Sequence, residues 1–210
     1  MRILIVDDHA VVRDGVKTIV GERYSEVVLG EASTASEALE LARQQEWDAV
    51  ILDISLGGRS GLEILKELKQ LRPKLPVLIL SMHSEAQYAR RAFKAGAAGY
   101  VTKDSSRAEL VRAINKVIEG GRYVSGALAE KLVFDIERGT DGPPHELLSD
   151  REFEVMCLIA SGKTVTEIAE VLSLSDKTIS TYRARILEKM GMKTNAELTY
   201  YAISNKLVAQ

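Results

Sequence analysis

Short apolar runs alternate with segments of helical periodicity through the first 120 residues. The apolar runs cover 3–6, 27–31, 47–52, 77–80 and 99–101. Runs this short and rich in branched residues are typical of strands buried on both faces of a parallel sheet. Between them, apolar residues recur every three or four positions and predict helices over 9–21, 36–45 (with Ser36 as N-cap), 61–71, 85–94 and 106–119. Connections this long do not form hairpins, so the pattern predicts a doubly wound, five-stranded parallel sheet of the α/β class.

The pattern changes in the second half of the chain. Residues 134–146 lack apolar periodicity, and Pro143-Pro144 is incompatible with a helix interior, so this segment is interpreted as a linker. Helical periodicity returns in four short segments, over 150–161, 165–172, 177–190 and 196–205. We therefore predict a domain over 1–122, a C-terminal extension and interdomain linker over 123–146, and a small all-α bundle over 147–210.

Composition narrows the class of protein. The formal net charge is −2 and 46% of the residues are hydrophobic, as in ordinary soluble globular proteins. A single cysteine, Cys157, cannot form an intramolecular disulfide and fits a small core residue in a reducing compartment. The apolar runs fall far short of the ~20 residues of a membrane helix, and the first is too brief for a signal peptide. We therefore expect a cytoplasmic protein without a membrane segment.

Polar residues follow four of the predicted strands at the point where each strand ends. Asp7 and Asp8 follow the first strand, Asp53 the third, Ser81 the fourth and Lys103 the fifth. The carboxyl ends of parallel strands line the functional crevice of an open sheet, so these side chains are expected to meet there. Two carboxylates ~4 Å apart repel by ~4 kcal/mol at an effective dielectric of 20. Mg²⁺ would relieve that repulsion, and an aspartate can also act as a nucleophile toward phosphorus.

Each of these residues also has a plain structural interpretation. Asp7 and Asp8 could cap the following helix, Asp53 could close a turn, Ser81 could cap a helix, and Lys103 could simply be solvated. For one residue alone the structural role is favoured. For all five at the ends of four strands a phosphoryl site is favoured, in which Lys103 offsets phosphoryl charge and Ser81 donates a hydrogen bond.

His9 stands beside Asp8 and invites comparison with a transition-metal site. The other histidines, His83 and His145, supply no obvious cluster with it. A solvated or packed His9 is therefore the favoured interpretation.

The segments ILIVDDH, LDIS, LILS and GYVTK resemble the receiver domain of bacterial two-component response regulators, over about residues 1–120. The resemblance implies a flavodoxin-like fold in which a cognate histidine kinase phosphorylates Asp53. It further implies Mg²⁺ held by Asp7, Asp8, Asp53 and the main-chain carbonyl of Ser55, with Ser81 and Lys103 binding the phosphoryl group. Tyr100 would be the aromatic residue whose rotamer changes as Ser81 moves toward the phosphate, which is compatible with a packed strand residue.

One position departs from that family. The family commonly has a proline four residues after the phosphoacceptor, where this chain has Gly57. Since glycine widens the backbone choices that proline would restrict, we predict a more mobile acceptor loop and an altered phosphoryl lifetime. A dephosphorylation half-life that is the same in Gly57→Pro and the wild type would contradict this.

The segments 165–172 and 177–190 flank the short turn Ser173-Leu174-Ser175 and predict a helix-turn-helix. On the second helix Ile179, Tyr182, Ile186 and Met190 recur at helical spacing and predict a core-facing stripe. The opposite face carries small, hydroxylic or basic residues that suit a DNA major groove, namely Lys177, Ser180, Thr181, Ala184 and Arg185. Five basic residues lie between 177 and 193 against the single acid Glu188, although a solvated basic helix is the alternative.

Residues 147–208 resemble the LuxR-type helix-turn-helix of NarL/FixJ-class regulators, and the whole chain resembles the GacA/UvrY-like group. By this resemblance the helix beginning near Asp176 is the recognition helix, with Lys177, Ser180, Thr181 and Ala184 facing base edges. Phosphate-contact or supporting positions would be Thr178, Arg183, Arg185 and Lys189. The final helix would form the dimer contact on DNA through Ala196, Leu198, Thr199 and Ala202. An acid at Asp176 is unfavourable beside phosphates unless it caps the recognition helix.

These features predict a response regulator that works as a sequence-specific transcription factor. Phosphorylation would promote dimerisation and binding to a roughly palindromic DNA site, with RNA polymerase a candidate further partner and weak autodephosphorylation in place of enzymatic turnover. A Mg²⁺-dependent phosphohydrolase is one alternative, although Ile54-Ser55 supplies no second carboxylate beyond Asp53. A phosphorylation-independent DNA-binding protein is the other, and the complete set of pocket residues argues against it.

Overall fold

The computed structural model describes residues 1–56, 59–83, 85–126, 128–130 and 143–208. The chain divides into two compact units, Met1–Ala129 and Glu130–Gln210. Across these described ranges, no helix has both the length and the apolar character needed to cross a membrane.

A five-stranded parallel sheet forms the centre of the first unit. In spatial order the strands run β2-β1-β3-β4-β5, where β1 is Arg2–Val6, β2 Val28–Ala32, β3 Ala49–Leu52, β4 Val77–Ser81 and β5 Gly99–Thr102. Every residue of β3 and β4 is buried, as expected for strands covered on both faces. Because the strand order reverses at β1, a crevice opens where β1 and β3 end.

Five helices cover the two faces of this sheet. They are α1 (Ala10–Arg23), α2 (Ala35–Gln44), α3 (Gly61–Leu71), α4 (Glu85–Lys94) and α5 (Arg107–Ile118). The core on one face joins strand residues such as Ile5 and Ile51 to Val16 of α1 and Ile114 of α5. The predicted five strands and five helices are confirmed, with each end within two residues of its predicted position.

Two local details differ from the sequence prediction. Thr34, and not Ser36, is the N-cap of α2, because the helix begins one residue earlier and the Thr34 hydroxyl accepts a hydrogen bond from the Glu37 N–H. The segment after β3, predicted as a plain loop, contains a small antiparallel pairing of Ser55–Leu56 with Arg59–Ser60. Gly57, to which the prediction of a mobile acceptor loop applies, lies outside the described residues.

The chain returns to the sheet directly after α5. The Tyr123 N–H donates to the Ala98 carbonyl over 2.9 Å, and Tyr123 forms an isolated bridge with Gly99 at the sheet edge. The start of the predicted extension is thus attached to the first unit. Residues 131–142 of the predicted linker lie outside the described residues, so the assignment of 123–146 as a linker stays a prediction.

The second unit is helical, as predicted. A single 3-10 turn at Pro144–Leu147, within and just beyond the predicted linker, precedes α6 (Asp150–Ala160), α7 (Val165–Val171), α8 (Asp176–Met190) and α9 (Asn195–Ser204). Ser149 and Thr164 form complete capping boxes with Glu152 and Glu167, which sets the start of α6 and α7. Helix α8 ends at Gly191, whose positive φ of 65° is the left-handed conformation that glycine adopts without steric cost.

Candidate functional site

The three predicted carboxylates meet at the crevice of the first unit. Asp7 follows β1 and Asp53 follows β3, and the two strands pair in parallel, so the Asp53 N–H donates to the Val6 carbonyl over 2.9 Å. Both residues are 2% exposed, whereas Asp8 faces the exposed rim. Possible ligand atoms of Asp7, Asp8, His9 and Asp53 all lie within 4.8 Å of one another. The strand ends therefore bring together the acidic cluster that the sequence predicts.

Lys103 supplies the positive charge of this pocket. Its Nζ lies 2.6 Å from Asp53 Oδ2 and 2.7 Å from Asp7 Oδ2, and its own N–H donates to the Ser81 carbonyl over 2.8 Å. Burial acts to lower the pKa of this ammonium, but hydrogen bonds and charge from Asp53 and Asp7 outweigh burial and raise it. Lys103 is therefore charged and bridges two buried carboxylates, which excludes the interpretation of a solvated lysine.

The Asp53 carboxyl is poised between its charged and neutral forms. Burial raises its pKa to about 6, opposed by the hydrogen bond and charge of Lys103 and reinforced by the charge of Asp7. One oxygen, Oδ2, is held by Lys103. The other, Oδ1, is buried and makes no hydrogen bond of ordinary geometry within the part of the chain that the structure describes. A buried acceptor with no such hydrogen bond, beside two further carboxylates, fits a site for a hard divalent cation, because such cations prefer oxygen ligands.

Ser81 and Tyr100 meet through His83, a residue that the sequence analysis left without a role. The Ser81 hydroxyl accepts a hydrogen bond from the His83 N–H over 3.1 Å, and the Tyr100 hydroxyl donates to the His83 carbonyl over 2.8 Å. Tyr100 is fully buried, so its side chain occupies the inward rotamer. The His83 ring packs on Tyr88 with centroids 4.5 Å apart, and its Nε2 lies 3.2 Å from Ser55 Oγ. His83 thus joins the Ser81 end of β4 to the segment after Asp53.

Two histidines of the pocket differ in environment. Burial and the nearby charge of Lys103 lower the pKa of His83, which is therefore neutral at pH 7. The His9 side chain is 67% exposed, with Nδ1 2.7 Å from Asp8 Oδ1 and 3.3 Å from Asp7 Oδ1. His9 is solvated at the rim, as predicted, although it lies closer to the carboxylates than the sequence suggested. Its position two residues after Asp7 was the available signal.

In the second unit, the predicted groove-facing residues lie on the exposed side of α8. Lys177, Ser180, Thr181, Ala184 and Arg185 are all exposed, whereas Ile179 and Ile186 on the opposite side are fully buried. The N-cap of α8 is Ser175, whose hydroxyl accepts from the Thr178 N–H over 3.2 Å. Asp176 is therefore not the cap. Its carboxylate instead accepts a hydrogen bond from the Thr166 hydroxyl of α7 over 2.9 Å.

Three predicted DNA-contact residues make contacts within the unit itself. The Thr178 hydroxyl lies 2.8 Å from that of Ser175, the Arg183 Nε donates to Asn195 Oδ1 over 2.6 Å, and the Lys189 Nζ lies 2.6 Å from Glu152 Oε2. These contacts assign the three side chains to support of α8 in this structure. A role in contacting phosphates stays a prediction for all three.

The predicted dimer contact on α9 needs a correction. Leu198 and Ala202 are fully buried, because this side of α9 packs against α6. Neither side chain can form a surface for a second copy. Ala196 is exposed, Thr199 is partly exposed and Tyr200 is 77% exposed, and Met192, Ala196 and Tyr200 line a shallow, mainly apolar groove. The exposed face of α9 is therefore the one carrying Ala196 and Tyr200.

Comparison with known proteins identifies both units. Residues 3–115 match the family described as response regulator receiver domain, and residues 146–202 match bacterial regulatory proteins of the luxR family. The chain belongs to the response regulators that join a receiver domain to a LuxR-type DNA-binding domain. Over the full length it is 35% identical to the response regulator GacA of Pseudomonas viridiflava, covering 99% of this chain and 98% of that protein. It is also 35% identical to the response regulator UvrY of Escherichia coli K12, covering 99% and 95%.

Solved structures show the same relationship. A LuxR-family two-component response regulator from Aurantimonas sp. SI85-9A1 is 39% identical, with a TM-score of 0.60 over 64% of this chain and 96% of that one. RcsB from Salmonella enterica serovar Typhimurium, bound to promoter rprA in the presence of the phosphomimetic BeF3-, is 26% identical. Its TM-score is 0.64 over 97% of this chain and 99% of that chain. The receiver fold and the helical C-terminal domain predicted from the sequence are thus confirmed.

Proposed function

We propose that Asp53 accepts a phosphoryl group from a cognate histidine kinase and that the modification controls DNA binding. The observation that carries this proposal is the buried Asp53 carboxyl, with Oδ2 on the Lys103 ammonium and with Oδ1 making no hydrogen bond of ordinary geometry among the described residues. A carboxylate oxygen of Asp53 forms the new bond to phosphorus while the phosphorus–nitrogen bond to the kinase histidine breaks. The electron pair of the broken bond stays on the imidazole nitrogen, so the transfer needs no further co-reactant.

The acidic cluster would hold Mg²⁺ during this transfer. Its ligands would be Asp7, Asp8, Asp53 and the Ser55 carbonyl, and Mg²⁺ would supply neutralisation of charge on the phosphoryl oxygens. Lys103 is placed to exchange its bridge between two carboxylates for a phosphoryl oxygen. Ser81, at the end of the neighbouring strand, would donate its hydroxyl proton to another oxygen. The shift of Ser81 toward the phosphoryl group would break the hydrogen bond that its hydroxyl now accepts from the His83 N–H.

Movement of Ser81 would be felt by Tyr100. Both residues bond to the main chain of His83, one to its N–H and one to its carbonyl. Tyr100 is fully buried, so its hydroxyl has no water to bond to when the His83 carbonyl moves away. The Tyr100 hydroxyl must then find a new hydrogen-bond partner, or the Tyr100 side chain must change its rotamer. Phosphorylation would in this way shift an existing equilibrium between two conformations of the receiver surface.

The output would be a dimer bound to a roughly palindromic DNA site. The exposed face of α8, with Lys177, Ser180, Thr181 and Ala184, would read base edges while Arg185 neutralises a phosphate. The exposed groove around Ala196 and Tyr200 would provide the contact between two copies. RNA polymerase is a candidate partner of the bound dimer. Slow hydrolysis of the acyl phosphate would return the protein to its starting state, without turnover of external substrates.

The test is phosphorylation by a small donor. Full-length wild type and Asp53→Asn are incubated with acetyl phosphate with and without Mg²⁺, and intact mass and sizing profiles are recorded. We expect one added phosphoryl group in the wild type, dependent on Mg²⁺ and absent from Asp53→Asn, together with dimerisation. A phosphoryl group on Asp53→Asn, or turnover of the donor far beyond one equivalent with no added mass, would refute the proposal.

A further inference from the structure

Three of the first five residues of α6 are charged and buried. Arg151, Glu152 and Glu154 are only 7%, 3% and 7% exposed. Burying a charge is costly unless the group is paired and hydrogen-bonded, so such residues persist where their partners are held in a defined geometry. Outside α6 and its N-cap, Arg151 has a partner at the end of α7 and Glu152 has one on α8, the two helices of the helix-turn-helix.

Glu152 reaches the far end of the recognition helix. Its Oε2 lies 2.6 Å from the Nζ of Lys189, one residue before the last residue of α8. The same oxygen accepts the Ser149 N–H over 2.8 Å within the capping box of α6. Burial raises the pKa of Glu152, but Lys189 and Ser149 outweigh it and lower the pKa below its ordinary value. Glu152 is thus a fixed anion whose position is set by the main chain of its own helix.

Arg151 reaches the turn at the other end of the motif. Its guanidinium donates to the Leu172 carbonyl over 3.0 Å and pairs with Glu154 over 2.7 Å. Leu172 is the C-cap of α7 and precedes Ser173, which has a positive φ of 52°. Two adjacent residues of α6 therefore hold both ends of the motif: Arg151 contacts the entrance to the turn and Glu152 contacts the end of α8. At 1.5 Å per residue, Lys189 lies about 18 Å along α8 from Lys177.

We propose that Arg151 and Glu152 are positioning residues that set the angle at which α8 presents its exposed face to DNA, and that Lys189 acts through Glu152. The inference rests on the proposed DNA-binding function. Of the two roles predicted for Lys189, phosphate contact or support, it selects support, because the half-exposed ammonium lies 2.6 Å from the buried Glu152 carboxylate. Tilting a helix about one end moves the other end most, so loss of the Glu152–Lys189 pair misplaces the residues that face the bases.

The two roles of Lys189 predict different salt dependence. Affinity falls as salt rises, and each phosphate contact makes the plot of log affinity against log salt steeper by about 0.9 per protomer. Loss of such a contact weakens binding to every sequence alike. A positioning residue adds nothing to that slope, and its loss weakens specific binding in particular. A residue that only stabilised the unit would change the unfolding temperature without changing the ratio of specific to nonspecific affinity of the folded protein.

The experiment compares Lys189→Met with Arg185→Met as a matched control, since both changes remove one charge from α8 and keep an unbranched apolar chain. Full-length wild type is first used to select a duplex from a random pool, and a scrambled duplex of equal length serves as the nonspecific probe. Dissociation constants for both duplexes are measured from 50 to 200 mM KCl at a temperature where circular dichroism shows each variant folded. Lys189→Arg, which keeps the charge, is included as the rescue variant.

We expect Arg185→Met to weaken both duplexes by the same factor and to lower the slope by about 0.9 per protomer. We expect Lys189→Met to keep the wild-type salt slope. Its ratio of affinities for the selected and the scrambled duplex should fall roughly tenfold, as on loss of one good base contact. Lys189→Arg should restore most of that ratio. A slope change in Lys189→Met equal to that of Arg185→Met would overturn the inference, as would an unchanged ratio.

Two further outcomes separate this inference from the proposed function. If the wild type prefers no selected duplex, the DNA-binding function itself fails. If Lys189→Met does not fold, Glu152→Gln takes its place, because the amide oxygen can still accept the Ser149 N–H while the charge that holds Lys189 is removed. The same loss of ratio at an unchanged slope is expected, and a wild-type ratio would refute the positioning role.

Discussion

The pKa of Asp53 makes the stability of the receiver unit depend on pH in a defined direction. Burial raises this pKa from 3.8 to about 6 in the folded protein, while the unfolded chain titrates near the ordinary value. Between these values the native state binds more protons than the unfolded state, so stability falls as the pH rises. The contribution of Asp53 is full below pH ~4, is lost by pH ~6 and is constant above that. The whole difference corresponds to about 3 kcal/mol at about 1.4 kcal/mol per pKa unit.

The assay isolates this one carboxyl by comparing wild type with Asp53→Asn in EDTA. Trp47 is the single tryptophan of the chain and lies buried in the receiver unit, with its indole N–H on the Leu41 carbonyl over 3.0 Å. Its fluorescence therefore reports urea unfolding of this unit alone. Between pH 4.5 and 7.5 the wild type should lose about 2 kcal/mol relative to Asp53→Asn, which is the part of the linkage that this range covers.

A difference between the two proteins that stays constant over this pH range would refute the reasoning. It would mean that Asp53 titrates normally in the folded chain, so that Lys103 fully compensates its burial. Saturating Mg²⁺ provides an internal control. A cation bound to the carboxylates favours the charged form, so the pH dependence should shrink when Mg²⁺ replaces EDTA.

Three further changes test the pocket and the output surface. Lys103→Met leaves two buried carboxylates without their bridging cation and should cost about 3–5 kcal/mol at pH 7.5 in EDTA, with part restored by Mg²⁺; a loss below about 1 kcal/mol in Trp47-monitored unfolding would contradict this. Gly61→Ala places a Cβ 2.2 Å from the Asp53 carbonyl oxygen and should cost about 1–3 kcal/mol and slow phosphorylation, whereas Gly15→Ala, with open space around its Cβ, should gain about 0.5–1 kcal/mol; equal effects would exclude the clash. Tyr200→Ser, at an exposed position, should leave the thermal midpoint unchanged and weaken dimerisation in analytical ultracentrifugation, and an unchanged dimer constant would remove this face from the contact.

The parts of the structure that follow from periodicity were predictable, and the parts that depend on single contacts were not. Five strands and their helices were predictable from apolar runs and repeated apolar positions, although β2 is only partly buried in the structure. The strand ends that bring Asp7, Asp53 and Lys103 together were predictable in the same way. The pairing of Ser55–Leu56 with Arg59–Ser60 has no such signal, because two residues are too few to show a period of two. The sequence likewise does not fix the N-cap of α2, because Thr34 and Ser36 are both residue types that cap helices well.

The type of a residue did not reveal which partner the residue contacts. His83 bonds through its main chain to Ser81 and Tyr100, and no property of a histidine in a sequence reveals such contacts. Lys189 lies among basic residues suited to phosphates, yet its ammonium is held by a carboxylate 37 positions earlier. Leu198 and Ala202 recur at helical spacing on a helix assigned to dimerisation, although their burial places them on its inner side. Sequence defines the apolar stripe of a helix but not which neighbour covers it.

Two lysine–carboxylate pairs of this chain have a buried carboxylate, but Lys103 is buried with it whereas the Lys189 side chain is 41% exposed. At Lys103 the partner carboxyl of Asp53 has a pKa raised to about 6 and a second oxygen that makes no hydrogen bond of ordinary geometry among the described residues. Its stabilisation is therefore incomplete, as the proposed exchange for a phosphoryl group requires. At Lys189 the partner Glu152 has a lowered pKa and a second donor from the capping box, so nothing is gained by exchange. An ion pair with an unsatisfied partner suits a site that must change state, whereas a satisfied one suits a helix that must keep its angle. If both proposals hold, the same residue type serves a switch in the receiver unit and a fixed support in the DNA-binding unit.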